Sequence, residues 1–360
     1  MDAVVVEEPI SITGKQNPAH RGVEIDDAHA RSLVRDLHKV NRAFYWTDLL
    51  LSAALGWAAF SFAVVAPGFS WPVIAALTIS AMALYRGLCF LHEISHQSRR
   101  TLPGFEAVYN TLIGFPLLMP SFVYVGVHQS HHKISVYGTK DDPEYMPFAQ
   151  SCLMTTVFAL ESFFIPLVLL VRFLLFTPVA LVSPGVHRWT ITHLSSLTMN
   201  LQYRREFTPE LASKVRLHSL MIWVGSVCII SLAIAGKLPL RLFLIWLIVD
   251  ATVSFVNSVR TLGAHAYESD GEPMDRMGQL MDSIDHPGQF WTELWAPVGL
   301  RYHALHHYFP GIPYHSLPEA YRRLSSTLPL GRSYVKMSSP SLPHSLRSLF
   351  AKGMRIFQRR

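Results

Sequence analysis

Histidines carry the chemistry of this sequence. They stand in three clusters, His92-Glu-Ile-Ser-His96, His128-Gln-Ser-His131-His132 and His303-Ala-Leu-His306-His307. On a helix, positions i, i+3 and i+4 share one face, so each cluster turns its imidazoles toward a common point. With 18 histidines in 360 residues, a lone HxxxH says little. An HxxHH pattern arises by chance only about 0.04 to 0.05 times in such a chain, and two copies roughly once in a thousand chains. Imidazole binds iron, copper, zinc and nickel, so ligand type leaves the metal open. The ligand count says more: eight imidazoles exceed what one ion accepts, and structural zinc takes four ligands, often with thiolates. Two metal ions are implied. A redox metal facing an apolar interior suits dioxygen chemistry on unactivated carbon–hydrogen bonds, for which iron is the usual choice. Cys89, Cys152 and Cys228 are widely spaced in apolar surroundings, form no disulfide framework or CxxC site, and read as buried small hydrophobes.

The elements that position these clusters belong in a bilayer. The chain is 50% hydrophobic and 16% charged, with a mean hydropathy of +0.25, which is too apolar for an ordinary soluble protein. Its net charge of +6 does not imply nucleic acid, because the basic residues flank apolar runs; anionic lipid headgroups fit them better. Runs near Leu49–Ala66, Trp71–Leu91, His218–Ala235 and Leu240–Val259 are long enough to cross, and they make two hairpins. Arg31, Arg35, Lys39 and Arg42 before the first hairpin, with Arg99 and Arg100 after it, place both flanks in the cytoplasm. Lys237 and Arg241, in the second turn, dissent from that orientation. Two further runs, near Val108–Val127 and Leu153–Val182, lie between clusters that must share one side of the membrane. Each is therefore expected to lie in the interface or to dip in and return, broken by Pro116, Pro120 and Pro166.

The predicted architecture is all-α: an integral membrane protein of about four transmembrane helices in two hairpins, with interfacial or re-entrant helices and a cytoplasmic histidine-rich cap. Residues 1–46 read as a cytoplasmic N-terminal segment, without the pattern of a secretory signal. Residues 47–320 form the membrane domain, and residues 321–360 a basic C-terminal tail. In that tail Leu346, Leu349, Phe350, Ile356 and Phe357 mix with Arg347, Lys352, Arg355, Arg359 and Arg360, as in an interfacial helix. Trp291, Trp295 and Tyr302 are expected to anchor at the interface.

HEISH, HQSHH and HALHH resemble the three histidine boxes of the membrane fatty acid desaturase and hydroxylase superfamily, and the box order and two hairpins resemble its plan over most of the chain. HEISH is similar to the first box of sphingolipid desaturases. The resemblance implies two irons held by the boxes, His92, His96, His128, His131, His132, His303, His306 and His307, and a further ligand after the last span, here His265 in Thr-Leu-Gly-Ala-His. His187 and His193 are rivals for that ninth place. Thr261 stands where acyl-CoA desaturases place an asparagine, which puts a water-mediated contact there in doubt. Asp141, Asp142, Glu144, Glu93 and Glu268 are candidates to orient ligand imidazoles by accepting their distal N–H. His286-Pro287-Gly288 is similar to a cytochrome b5 haem motif, but Gln289 breaks it. Electrons must then come from a separate donor of ferredoxin or cytochrome b5 type.

The expected reaction is desaturation of a fatty acyl or other lipid chain. Dioxygen and two electrons remove hydrogen from one carbon and then its neighbour, leaving a double bond and water. Hydroxylation, carotenoid ketone formation and alkene-forming decarboxylation are the alternatives on the same scaffold. From another class, a non-catalytic zinc-binding or haem membrane protein would also use histidines. Haem helices, however, place isolated axial histidines deep within spans, whereas these clusters sit at span ends.

Overall fold

Apolar length decides the architecture. A computed structural model describes residues 27–327 and 337–357; the first part of the expected N-terminal segment, and Arg359 and Arg360 of the tail, lie outside the described residues. In chain order, α1 (Asp27–Val34) precedes the long pair α2 (Arg42–Val65) and α3 (Trp71–His96). Two short helices, α4 (Phe105–Tyr109) and α5 (Val127–His131), follow. A helical stretch is then built from α6 (Cys152–Glu161), α7 (Ile165–Val171) and α8 (Thr177–Val182), and α9 (Pro184–Leu194) leads to the second long pair, α10 (Pro209–Ile234) and α11 (Arg241–Leu262). A cap of α12 (Arg276–Asp282), α13 (Thr292–Trp295), α14 (His303–Tyr308), α15 (Leu317–Ser326) and α16 (Leu342–Phe357) completes the described chain. Among the described residues the only β pairing is isolated bridges such as His265 with Ser283.

Asn41 starts α2 by accepting from Ala43 N, and Pro67 and Gly68 turn the chain after it. Gly56 lets α2 and α3 close together, since a Cβ there would lie 2.6 Å from the Leu84 side chain. The outward faces carry Leu51, Leu55, Phe62, Leu217, Val224 and Ile234, all exposed. In water this belt would be a liability; in hydrocarbon it is the favourable surface. Cys228 lies exposed on α10, which corrects the reading of all three cysteines as buried.

Five stretches are long and apolar enough to cross a membrane, namely α2, α3, residues 152–182, α10 and α11. His92 and His96 at the end of α3 nevertheless meet the same cluster as His265, just past α11. A shared site requires an even number of crossings between them, and α10 and α11 supply two. The other stretches return to the side they left. Phe105 packs edge-on against Tyr45 at 5.7 Å. Deeper in the bundle Trp57 Nε1 donates to Leu112 O (2.7 Å), and Trp246 Nε1 to Pro116 O (2.8 Å). The chain reverses at Leu118, which takes a φ of 56°, and Val123 O, back near the boxes, accepts from Leu197 N (2.7 Å). Residues 152–182 start beside Leu262 and Tyr267, stack Phe163 on Phe255 at 4.6 Å, and end where Thr177 and Ala180 share a cleft with Val215 and Ser219. Pro166 and a π-type turn at Arg172–Phe176 interrupt that stretch. Four helices thus cross, in two hairpins. The dissenting Arg241 donates from Nη2 to Gly68 O (2.5 Å) and lies over the Phe69 ring, joining the two hairpin turns.

Both ends of the described chain clamp the cap. Ala30 and Val34 of α1 share a core with Leu305, Tyr308, Leu317 and Leu324, and Tyr308 OH donates to Asp27 (2.7 Å). On α16, Leu349 is buried against Phe148 and Tyr267, and Lys352 pairs with Glu268 at 2.6 Å. The domain boundary expected between residues 320 and 321 falls inside α15. Tyr302 is buried in the cap core instead of lying at the interface, whereas Trp291 sits in an exposed apolar patch with Phe290 and Leu294.

Candidate metal centre

Each histidine box is presented by a helix end. The last turn of α3 carries His92 and His96, one turn apart, with ring centroids 5.1 Å from each other. The second box lies on α5 and the residue after it. Its entry loop is pinned by Arg205, whose guanidinium donates to Val125 O (2.6 Å), Ser195 O (2.8 Å) and Phe122 O. The third box is α14, and the buried Asp285 accepts from Ala304 N (2.8 Å) and Leu305 N (3.2 Å) in that helix's first turn. His265 follows Gly263 at the end of α11.

These elements bring nine imidazoles into two adjoining groups. One is His92, His96, His128, His132 and His306; the other contains His131, His265 and His307, and within each group the ligand atoms lie within 4.8 Å of one another. His303 joins the second group, its Nε2 being 2.8 Å from His265 Nε2 and 3.2 Å from His307 Nε2. The groups abut where His132 stacks on His307 at 4.3 Å. The rivals for the ninth place are elsewhere: His187 lines the cleft with Arg172 and Arg216, and His193 stacks on Trp189.

The outer ring nitrogens fix the inner ones. His131 Nδ1 lies 2.9 and 3.0 Å from the two oxygens of Asp142, and His128 Nδ1 lies 3.0 Å from Glu144 Oε2. His265 Nδ1 is 2.8 Å from Tyr137 OH, which itself donates to Asp282 (3.0 Å). Each Nδ1 therefore carries the proton and each Nε2 a lone pair. Burial, reinforced by neighbouring imidazoles, holds His128, His132, His265, His303, His306 and His307 far below the usual imidazole pKa, so these rings are neutral. For His131 burial works the same way, but the Asp142 carboxylate outweighs it and raises the ring's basicity. Inner nitrogens then crowd together: His128 Nε2 is 3.0 Å from His132 Nε2, and His132 Nε2 is 3.2 Å from His306 Nε2. Both ring nitrogens of His92 and the Nε2 of His96 are buried with no hydrogen-bond partner. Neutral imidazole nitrogens that converge in this way are the donor set a borderline transition metal takes. The residues present fit two such ions.

Of the carboxylates singled out in the sequence, Asp142 and Glu144 reach rings of the cluster. Asp141 is exposed, and Glu268 pairs with Lys352 instead. Glu93 accepts from Tyr45 OH and from Tyr314 N (3.3 Å), and its other oxygen stands 3.7 Å from His92 Nδ1. Sequence spacing gave no signal for Tyr137 and Asp282, which are 145 residues apart; Tyr124, one turn before His128, bonds its Nδ1 at 2.9 Å. Neither Thr261 nor His286 touches the cluster through its side chain. Thr261 is held by Arg260 and Asn257 O, and His286 bonds Ser345. A cavity lined by His92, His265 and His303 opens beside the second group toward Leu88, Met119 and Ile165.

Residues 68–338 match the family model described as fatty acid desaturase. The chain is 37% identical over 325 residues to a protein of Caulobacter vibrioides (strain NA1000 / CB15N) named ceramide hydroxylase, covering 90% of this chain and 92% of that one. On its histidine boxes, its helical membrane fold and these matches, the chain belongs to the fatty acid desaturase family.

Proposed function

We propose that the nine histidines hold two iron ions and that the protein is an oxygen-dependent hydroxylase of a ceramide-like lipid. The observation that carries this reading is the convergence of imidazole nitrogens, from three boxes and His265, on two adjoining points beside a cavity. Bound iron supplies reductive activation of dioxygen and oxidation of a carbon–hydrogen bond. In the balance, one oxygen atom enters the C–H bond and the other leaves as water, with two protons and two electrons from a donor.

The chain's own residues prepare that chemistry. Asp142, Glu144 and the Tyr137–Asp282 pair hold the Nδ1 protons and fix ring orientation. Leu88, Leu91 and Met119 keep bulk water from the cavity. Hydroxylation is preferred over the desaturation expected from the boxes because the relative that aligns along nearly the whole chain is named for hydroxylation; the relative's name likewise favours a ceramide. We place the histidine cap in the cytoplasm on the basic residues flanking the first hairpin, where a small acidic ferredoxin or cytochrome b5 type protein would deliver electrons.

The test is metal analysis of detergent-purified protein beside a His131→Ala, His306→Ala variant, with lipid analysis of cells making each. Two irons per chain and a lipid that gains one oxygen atom, both lost in the variant, support the proposal. A lipid that instead loses two hydrogens would make the protein a desaturase. Absence of iron, or a product untouched by the substitutions, would remove the catalytic reading.

A further inference from the structure

The helix α11 is apolar enough to cross a bilayer, yet the wall it gives to the cavity at the metal centre is polar. Ser254, Asn257, Ser258, Arg260 and Thr261 all line the space that His92, His265 and His303 close. A hydrocarbon chain has no use for these groups, and burying them costs free energy unless they are hydrogen-bonded. Arg260 is the most demanding. It is 9% exposed, and its Nη2 donates to Asn257 Oδ1 (3.4 Å) and Thr261 Oγ1 (2.7 Å). Its Nε has no partner, and no salt bridge joins it to a carboxylate among the described residues. Ser254 Oγ is also buried and unpartnered.

The same cavity contains the opposite need. Glu144 lines it, and Oε2 of that residue is taken by His128 (3.0 Å) and Tyr124 (3.2 Å), while Oε1 is buried without a partner. The cavity therefore offers an unused donor and an unused acceptor beside the histidines. A bare hydrocarbon satisfies neither. A carboxylate, which only accepts, satisfies Arg260 and leaves Glu144 Oε1 without a donor. An amide with a neighbouring hydroxyl both donates and accepts, and so satisfies both.

We propose that Arg260 and Glu144 are specificity-determining residues that hold the polar linkage of the substrate. The amide carbonyl accepts from Arg260 Nε, and the amide N–H or adjacent hydroxyl donates to Glu144 Oε1. The substrate class is then the N-acylated long-chain amino alcohols, of which a ceramide is one, and the carbon oxidised lies within a few bonds of the amide instead of deep in the chain. This inference rests on the reading of the site as a lipid-oxidising centre.

The test measures binding of a fluorescent N-acyl amino alcohol and of the matching fluorescent hydrocarbon, which has neither amide nor carboxylate, to wild-type protein and to Arg260→Met in detergent. Iron content is determined for each, and the product's oxygen position is read by tandem mass spectrometry. Arg260 bonds no histidine, so Arg260→Met keeps its iron. It is expected to bind the amide lipid about tenfold more weakly and the hydrocarbon unchanged, and the wild-type product carries its oxygen near the amide. Unchanged affinity, equal loss for both lipids, or oxygen placed deep in the chain would overturn the proposal. Should Arg260→Met fail to fold, Ser254→Val tests the same wall, and it must weaken the amide lipid selectively. If the amide lipid binds through Arg260 but iron-loaded protein with electrons supplied oxidises no lipid, the hydroxylase reading fails while the binding pair stands.

Discussion

Replacing Asp142 with asparagine isolates what the proposed metal centre requires beyond its histidines. The carboxylate is fully buried and serves three donors: His131 Nδ1 at both oxygens, Gly138 N at Oδ2 (2.8 Å) and Glu144 N at Oδ1 (2.9 Å). An amide offers one oxygen, so Asp142→Asn turns an NH2 group toward at least one buried N–H. Leaving a buried donor unsatisfied costs about 1–3 kcal/mol. Loss of the charged partner that orients a ligand histidine lowers metal affinity about 10–100-fold, which converts to about 1.4–2.8 kcal/mol. The first cost falls on folding stability and the second on metal binding, so Asp142→Asn should hold iron at the His131, His265, His303 and His307 group at least tenfold more weakly. Chelator competition on purified protein measures this, with Asp141→Asn as the control because that neighbour is exposed. Wild-type affinity in Asp142→Asn, or an equal loss in Asp141→Asn, would refute the argument that Asp142 orients the ligand.

Three other outcomes are expected. His265→Ala should purify with about half the iron of wild type, whereas His187→Ala, in its separate cleft with Arg172 and Arg216, should keep all of it; metal analysis decides. Gly299→Ala should lower the thermal midpoint in detergent at a cost of about 1–3 kcal/mol, because Gly299 has a φ of +73° and a Cβ there would lie 2.7 Å from Leu317 Cδ1 and 3.1 Å from Tyr314 Cα. An unchanged midpoint would count against strain at the approach to the third box. Finally, hydrogen bonds from Arg322 and Arg323 hold Glu319 down at about 2, and Arg323 lowers Asp36. Both folded values lie below the unfolded ones, so this contribution to docking of the N-terminal helices is complete above about pH 4.5 and fades as pH falls toward 2. Hydrogen-exchange protection of residues 27–38 should therefore hold from pH 7 to about 5 and drop below about 4; constant protection would show that apolar contacts alone hold α1.

How far the sequence carried the reading depends on range. The clustering of the imidazoles was legible because i, i+3 and i+4 spacing is local: once the boxes are helical, His128, His131 and His132 share a face whatever the rest of the chain does. Four crossings were legible because a bilayer imposes a length on apolar runs and a site imposes an even count between its parts. Pro116 and Pro120 flank the place where the first re-entrant stretch turns, although the positive φ falls on Leu118, which no propensity marks.

What the tertiary structure alone decided are contacts between distant residues. The resemblance favoured His265 over its rivals His187 and His193, but only the fold past α11 brings it to 2.8 Å from His303. Asp141 and Asp142 are adjacent, and the turn after α5 buries one while exposing the other. The Tyr137–Asp282 pair and the polar wall of α11 opposite Glu144 join segments more than a hundred residues apart. Such pairings are set by how packed helices close on one another, and no local periodicity encodes them. The sequence by itself determined which atoms could bind metal and that a membrane surrounds them; the packing of α3, α5, α11 and α14 determined which of those atoms meet.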